Sequence, residues 1–418
     1  MSNEPQALAG VRVLELTNYI AGPIVGRMMA DMGAEVVKLE MPPGGDFNRG
    51  RMRPPSEPRY NPLHAFYNRG KQSLCVDIKR REGAALIKDL IRHFDVFVEN
   101  LTPGLLSKYG LGWAELSAVN PRLIMCSVSA FGQTGPLANL PGTDALAQAM
   151  SGVTSMTADS NGTPVFTGVF MADGNAGVSA YGAVVTALFY REKSGVGQYI
   201  DLSLSESIFH LHDNSLSQWL FSNGEFKPGP FGSHRNGDTP HGYYKVGDRY
   251  LILVVLNHYW EQFTRVIGMP ELKDDPRFAA LPDRSDNRYI LAAIVQEWIE
   301  QRFKHRDEAI KFFRDAGLIA APVLTVEEAV NHPQLKSRGI METIDVPGLG
   351  EFALPKAPFH MSKTPPRIPP IVARLGEHNL EVLSKCLGYS SDTVAALLNN
   401  GVIAQDPTLA KGSQATKP

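Results

Sequence analysis

The sequence predicts a two-domain α/β protein whose larger part is Rossmann-like, and three observations point there. Strand-like and helix-like patterns alternate through the first 130 residues. The chain is 418 residues long, more than one compact module usually holds. A stretch rich in Gly, Pro and Asn, beginning at Gly224 (GEFKPGPFGSHRNGDTPHG), then interrupts the pattern in mid-chain.

The elements follow in order. Val11–Leu16 (VRVLEL) reads as a strand, and a turn containing Gly22 and Pro23 follows it. A helix pattern runs through Ile24, Met28, Met29 and Met32 to Gly33, a natural C-cap. Strands are expected at Glu35–Glu40, Ser73–Ile78, Asp95–Val98 and Arg122–Val128, with a helix from about Arg80 to His93. Strands separated by helices of this length imply βαβ units and a parallel sheet covered on both faces. Residues 41–63 form an irregular segment rich in Pro and Gly, readable as a ligand-covering loop or a solvated insertion. The run Gly174–Tyr190 is too short and too polar to span a bilayer, so it reads as a buried helix. Ser205–Asn223 is helical in pattern. The smaller unit would hold a strand at Tyr250–Leu256 and helices near 258–268, 286–303 and 306–316. After Pro322 the chain reads as loop, with a proline cluster at Pro365–Pro370, two short helices near 378–400 and a frayed tail from about 405.

Composition excludes several classes. The 41 Lys+Arg and 43 Asp+Glu give a net charge of −2, without the basic surplus of a nucleic-acid protein. Cys75, Cys126 and Cys386 are too scattered for a disulfide framework or a metal site. They fit a reduced, cytoplasmic setting, and the N-terminus lacks the pattern of a signal peptide. No membrane, nucleic-acid or metal partner is expected. The chain has no GxxxxGK[ST] loop and no GxSxG elbow; the turn after the first strand, Thr17–Pro23, lacks the dinucleotide fingerprint GxGxxG. His210 and His212 would point to different faces of a helix and make a poor metal pair.

Eight segments carry a resemblance. They are LAGVRVLELTNYIAGPIVGRMMADMGAEVVKLEMPPGGD at 8–46, NRGKQSLCVDIK at 68–79, DVFVENLTPG at 95–104, SVSAFGQTGP at 127–136, GTDALAQAMSG at 142–152, MADGNAG at 171–177, SGVGQYIDLSLSES at 194–207 and LGEHNLEVL at 375–383. In this order they resemble the class III CoA-transferases, the CaiB/BaiF family, over nearly the whole chain. The resemblance implies a large Rossmann-like domain built from both ends, 1–223 and 331–418, with a small domain at 224–330 inserted. It also implies a homodimer of interlocked subunits.

The implied activity moves CoA from an acyl-CoA donor to a carboxylic acid acceptor. A carboxylate nucleophile conserves the thioester energy, because its attack gives a mixed anhydride and a CoA thiolate that then forms an aspartyl-CoA thioester. By resemblance Asp144 carries this role; capping a helix is its competing one. CoA would be a substrate, with no tightly bound cofactor. The resemblance places Asn18, Tyr19, Ala21, Val76, Lys79, Asn100, Leu101, Lys108 and Tyr109 along the CoA. Ile20, Met41 and Phe131 would shape the acid pocket, together with the 229–243 region. Formyl-CoA:oxalate transferases carry His and Gln where Asn18 and Ile20 stand, an Arg at Met41 and a run of glycines missing here, which points to a larger, less polar acid than oxalate.

The α-methylacyl-CoA racemases, on the same fold, are the alternative. They need two acid/base groups about one carbon, supplied in part by the histidine of a GHD triplet. Here the triplet is Gly142-Thr143-Asp144. Asp173 stands at the position of their second acid but occurs in transferases too, so the missing histidine decides for transfer.

Overall fold

The computed structural model describes residues 5–50, 61–159, 161–346 and 350–412. The chain divides into two compact units, one of residues 1–153, 168–212 and 338–418, the other of 154–167 and 213–337. The boundary thus falls at 213 rather than at the composition change at 224, because Asn214–Phe221 groups with the smaller unit.

The larger unit is built on a six-stranded sheet. Its strands are β1 (Arg12–Leu16), β2 (Glu35–Glu40), β3 (Lys71–Cys75), β4 (Val96–Glu99), β5 (Ile124–Ser129) and β6 (Gln198–Ser203), ordered β3-β2-β1-β4-β5-β6. Every neighbouring pair is parallel. Side chains alternate between two buried faces, which is why the strands read as nearly continuous apolar runs. Leu14, Leu16, Val37, Leu39 and Phe97 enter one core with the helices Arg81–Ile91 and Asn379–Leu387. Val13, Val36, Val96 and Val98 enter the other with the helices Ala21–Asp31 and Met171–Ser194.

Several expectations need correction. All six strands come from the N-terminal part, and the C-terminal return supplies helices and edge contacts instead: the Asn379 side chain accepts from Cys75 N at 2.9 Å. The third strand starts at Lys71, two residues before the expected Ser73. The short β6 was not anticipated, since half-buried polar residues mask its period. The expected helix over 205–223 is two, Leu204–Phe209 and Asn214–Phe221. His212 lies in the break, with Nε2 2.9 Å from Ser151 O. Met341–Val346 (β10) and Gly350–Pro355 (β11) form a hairpin where only loop was expected. Pro407–Gly412 is a helix within the expected tail. Of the 41–63 segment, residues 51–60 lie outside the described residues, as do 413–418 of the tail.

The smaller unit pairs β7 (His241–Val246), β8 (Arg249–Val254) and β9 (Ile319–Pro322) antiparallel, with the helices Trp260–Val266, Arg288–Arg302 and Arg306–Asp315 around a core of Phe263, Trp298 and Phe313. Among the described residues no helix is long and apolar enough to cross a membrane.

One patch of the sheet is ionic. Glu15 on β1 stands directly opposite Lys38 on β2 and receives Lys71 from β3; all three are at most 1% exposed. The Lys38 ammonium lies 3.1 Å from Glu15, 3.0 Å from Asp46 and 2.9 Å from Thr17 O. Lys71 donates to both Glu15 oxygens, to Pro23 O at 2.8 Å and to Asn68 at 3.1 Å. Burial opposes the charge on Lys38, yet Asp46, Glu15 and Glu40 outweigh it and hold its pKa above the usual value. At Lys71 burial wins, and the pKa falls to about 7. The helix above must leave room for the network. A Cβ at Gly26 would collide with the Glu15 carboxylate and come within 3.3 Å of Lys71 Cε. Replacing Gly26 by Ala should therefore lower stability by about 2–3 kcal/mol despite alanine's better helix propensity. A thermal melt checks this, and an unchanged or raised melting temperature would count against the described packing.

Candidate active site

The helices Ala21–Asp31 and Met171–Ser194 both begin at the carboxyl end of the sheet, the first directly after β1, the second running back toward β6. Between β1 and β4 the strand order reverses, and at such a switch point open α/β sheets form their ligand crevices. Two turns leave the sheet here. Asn18 N donates to the Asn100 side chain at 2.8 Å, and Asn100 Nδ2 donates back to Asn18 O at 2.8 Å. This reciprocal pair ties the turn after β1 to the turn after β4. Tyr19 sits between, at φ 65°, with its ring stacked on Phe47 at 5.1 Å.

The two helices touch backbone to side chain at Gly177. A Cβ there would lie 2.6 Å from Ile24 Cβ and 2.8 Å from Ala21 O, so only glycine permits the approach. Asp173 stands one turn earlier on the same helix, which brings it to the head of the Ala21 helix. Neither helix has a side-chain N-cap of its own. The N–H groups at the start of each helix make this end of the unit a favourable place for negative charge.

Two carboxylates meet at the head of the longer helix. Asp144 is 7% exposed, the first residue of the helix Asp144–Met150, whose N-cap is Thr143. It caps the other helix instead: its Oδ1 accepts from Ala172 N at 2.7 Å and Asp173 N at 3.1 Å. Its Oδ2 accepts from Gln148 Nε2 at 2.6 Å. The Asp173 side chain accepts no hydrogen bond among the described residues. Burial, and after it the charge of Asp144, push its carboxyl up to about 7.

The profile of CoA-transferase family III matches the chain over residues 8–379. The chain belongs to that family. Succinyl-CoA:glutarate CoA-transferase from Homo sapiens is 32% identical over 97% of this chain and 92% of its own length. Succinate–glutarate CoA-transferase from Agrobacterium fabrum is 34% identical over 92% of this chain and 97% of its own. A crystal structure of a CaiB/BaiF family protein from Brucella suis superposes with a TM-score of 0.80 at 32% identity, covering 91% of this chain and 99% of that one. The protein is an enzyme that transfers CoA, and CoA thioesters are the substrates of such enzymes.

Within this CoA-transferase, Asn18, Tyr19, Ala21, Asn100 and Leu101 gather at the switch point. Leu101 N donates to Glu99 Oε2 at 2.8 Å, which shapes the second turn. Val76 is fully buried in the sheet's core, while Lys79 and Lys108 are exposed. Tyr109 and Met41 pack against the core, half-buried. Ile20 is 7% exposed, in an apolar cluster with Ile24 and Met28. Phe131 is half-buried beside Gly142, in the strand-to-helix connection that leads to Asp144. The 229–243 region belongs to the smaller unit, where Phe231 O accepts from Tyr289 OH at 3.1 Å. Sequence reasoning missed Gln148, Asp46, Phe47 and Asn48. The available signal was Lys38 and Lys71 inside apolar strands, which can be buried only beside partners.

Loss of the cap has a definite cost. Asp144→Ala leaves the N–H groups of Ala172 and Asp173 without their acceptor and should destabilise by about 1–2 kcal/mol, whereas Asp144→Asn, which keeps an acceptor oxygen, should lose less. Thermal melts of the two variants compare them directly; equal melting temperatures for all three proteins would rule out the capping role.

Proposed function

We propose that the enzyme is a class III CoA-transferase that works through an aspartyl mixed anhydride and an aspartyl-CoA thioester, with Asp173 as nucleophile. The observation behind it is the unequal pair at the helix head: both Asp144 oxygens are engaged by hydrogen bonds, and Asp173 carries none among the described residues. The role first assigned to Asp144 therefore passes to its neighbour, and Asp144 becomes the residue that presents Asp173. A nucleophile gains reactivity when its pKa rises toward the working pH, and burial together with Asp144 supplies that rise.

The Asp173 carboxylate attacks the thioester carbonyl and expels CoA thiolate, leaving a mixed anhydride. The thiolate attacks the Asp173 carbonyl carbon and releases the donor acid. The acceptor carboxylate attacks the resulting aspartyl-CoA thioester, and CoA thiolate returns to the acceptor's acyl carbon, freeing Asp173. Helix N–H groups at this end stabilise the oxyanions that develop in each step. Asn18, Tyr19, Ala21, Asn100 and Leu101 would line the CoA, with Val76 offering backbone alone. Lys79 and Lys108, exposed, would meet phosphates, and Tyr109 would back the turn that carries them. The names of the relatives support succinyl-CoA as donor and a short dicarboxylic acid as acceptor; Ile20, Met41 and Phe131 would be the apolar walls of its pocket.

An interlocked homodimer is part of the same reading. In the larger unit the large apolar side chains of Phe170, Phe189, Tyr190 and Phe209 are 59%, 63%, 51% and 47% exposed, surface that a partner subunit would cover. Buried free cysteines support a cytoplasmic site. Light scattering should give twice the 45.7 kDa chain mass, and a monomer would refute the interlock.

The mechanism is tested by mass spectrometry after incubation with succinyl-CoA and trapping with hydroxylamine. The label should fall on Asp173, and Asp173→Ala should abolish both label and turnover. A label on Asp144, or solvent deuterium entering the acyl α-carbon without any label, would overturn this reading. The pH profile follows from the raised pKa. The ionised carboxylate is the nucleophile, so kcat/KM should climb with pH through about 7 and level off above it. Asp144→Asn removes the negative neighbour and should move that inflection to lower pH.

A further inference from the structure

The turn that carries Asn18 and Tyr19 is held in a conformation it would not adopt alone. A φ of 65° at Tyr19 is costly for a bulky side chain, and such outliers persist only where the surroundings enforce them. The reversal lies between Asn18, whose backbone is bonded to Asn100, and Ile20, the N-cap position of the Ala21 helix.

The enforcing element is the short 3₁₀ turn Phe47–Arg49 with its cap, Asp46. Asp46 Oδ1 accepts from Tyr19 N at 3.4 Å and from Asn48 N at 2.9 Å. Asn48 Nδ2 donates to Tyr19 O at 2.5 Å, so both sides of the Tyr19 backbone are gripped. Phe47 N donates to Asn18 Oδ1 at 3.4 Å, and the Phe47 ring lies flat on the Tyr19 ring, 11° from parallel. The grip is anchored below. Asp46 Oδ2 pairs with Lys38 at 3.0 Å and accepts from Asn68 at 3.3 Å. Arg49 bonds both Glu40 oxygens at 2.7 Å and Ala373 O at 3.0 Å. Asp46 and Asn48 are 2% and 1% exposed, yet Phe47 is 60% exposed, so its ring contributes little to any core.

We propose that Asp46, Phe47 and Asn48 are positioning residues, a clasp that holds Tyr19 left-handed and thereby sets the turn that receives CoA. The inference rests on the proposed function in one respect, that the turn after β1 lies along the CoA. The clasp acts before chemistry: it shapes the bound state of the CoA moiety and leaves Asp173 and its neighbours untouched. Its loss should therefore appear in CoA affinity and in KM, with kcat nearly intact.

The test uses full-length protein, titration calorimetry with free CoA, and steady-state transfer from succinyl-CoA. Phe47→Ala and Asn48→Ala should each raise the Kd for CoA and the KM for succinyl-CoA by about tenfold, with kcat within about twofold of wild type. Phe47→Tyr keeps the stack and should restore both constants. If Kd and KM of the alanine variants stay within about twofold of wild type while their melting temperatures fall, the turn is structural only and the inference fails. Should Asn48→Ala not fold, Phe47→Ala, at an exposed position, still decides. A wild-type protein that binds no CoA would bring down the functional reading first, and the clasp with it; a wild type that binds CoA as well as its alanine variants do refutes the clasp alone.

Discussion

The charged group buried across β1, β2 and β3 constrains the turn above it. Glu15, Lys38 and Lys71 are sealed from water on three adjacent strands, and removing one partner of such a set costs about 3–5 kcal/mol because the others stay buried and unpaired. Two of their further hydrogen bonds go to backbone: Lys38 to Thr17 O and Lys71 to Pro23 O. The same charges that stabilise one another thus hold the start of the turn after β1 and the first turn of the helix that follows it. Asp46 joins the network from the following loop and carries that order outward to the turn. A hydrophobic patch of equal volume would fill the space but could not hold carbonyl groups in place.

From that turn the order passes to the helices. Gly177 lets the Met171–Ser194 helix approach the Ala21 helix closely, so two helix N-termini and two carboxylates share one corner of the sheet. Asp144 satisfies the N–H groups at the head of the longer helix; Asp173, one turn before the crossing, is left with its charge unpaid by hydrogen bonds among the described residues. Burial first, and the negative charge of Asp144 after it, raise the energy of the ionised form of Asp173. The raised pKa of Asp173 comes from burial by the packed helices more than from its one charged neighbour.

Much of the fold was legible in the chain. Val13, Val36 and Val96 alternate with Leu14, Val37 and Phe97, and a strand that is apolar on both faces belongs in a parallel sheet covered on both sides. Elements with long apolar runs were therefore found close to their true bounds. Those held by pairing alone were not. β6 has half-buried polar residues, and the β10–β11 hairpin has mostly exposed ones, so neither shows a hydrophobic period. The site was legible in part. The segment GTDALAQAMSG drew attention to Asp144 and MADGNAG to Asp173, yet nothing in either string says which carboxylate is occupied.

The sequence by itself determined the fold class and the family and pointed to Asp144, because apolar periodicity and short motifs are local properties that a single strand or turn expresses. Only the tertiary structure decided which aspartate is capped and which is open, since that depends on hydrogen bonds between residues 28 and 29 positions apart. It also decided that Lys38 and Lys71 are buried partners of Glu15, and that Tyr19 is clasped by Asp46, Phe47 and Asn48. These are contacts between elements, and side-chain periodicity carries no record of what an element will meet across the sheet.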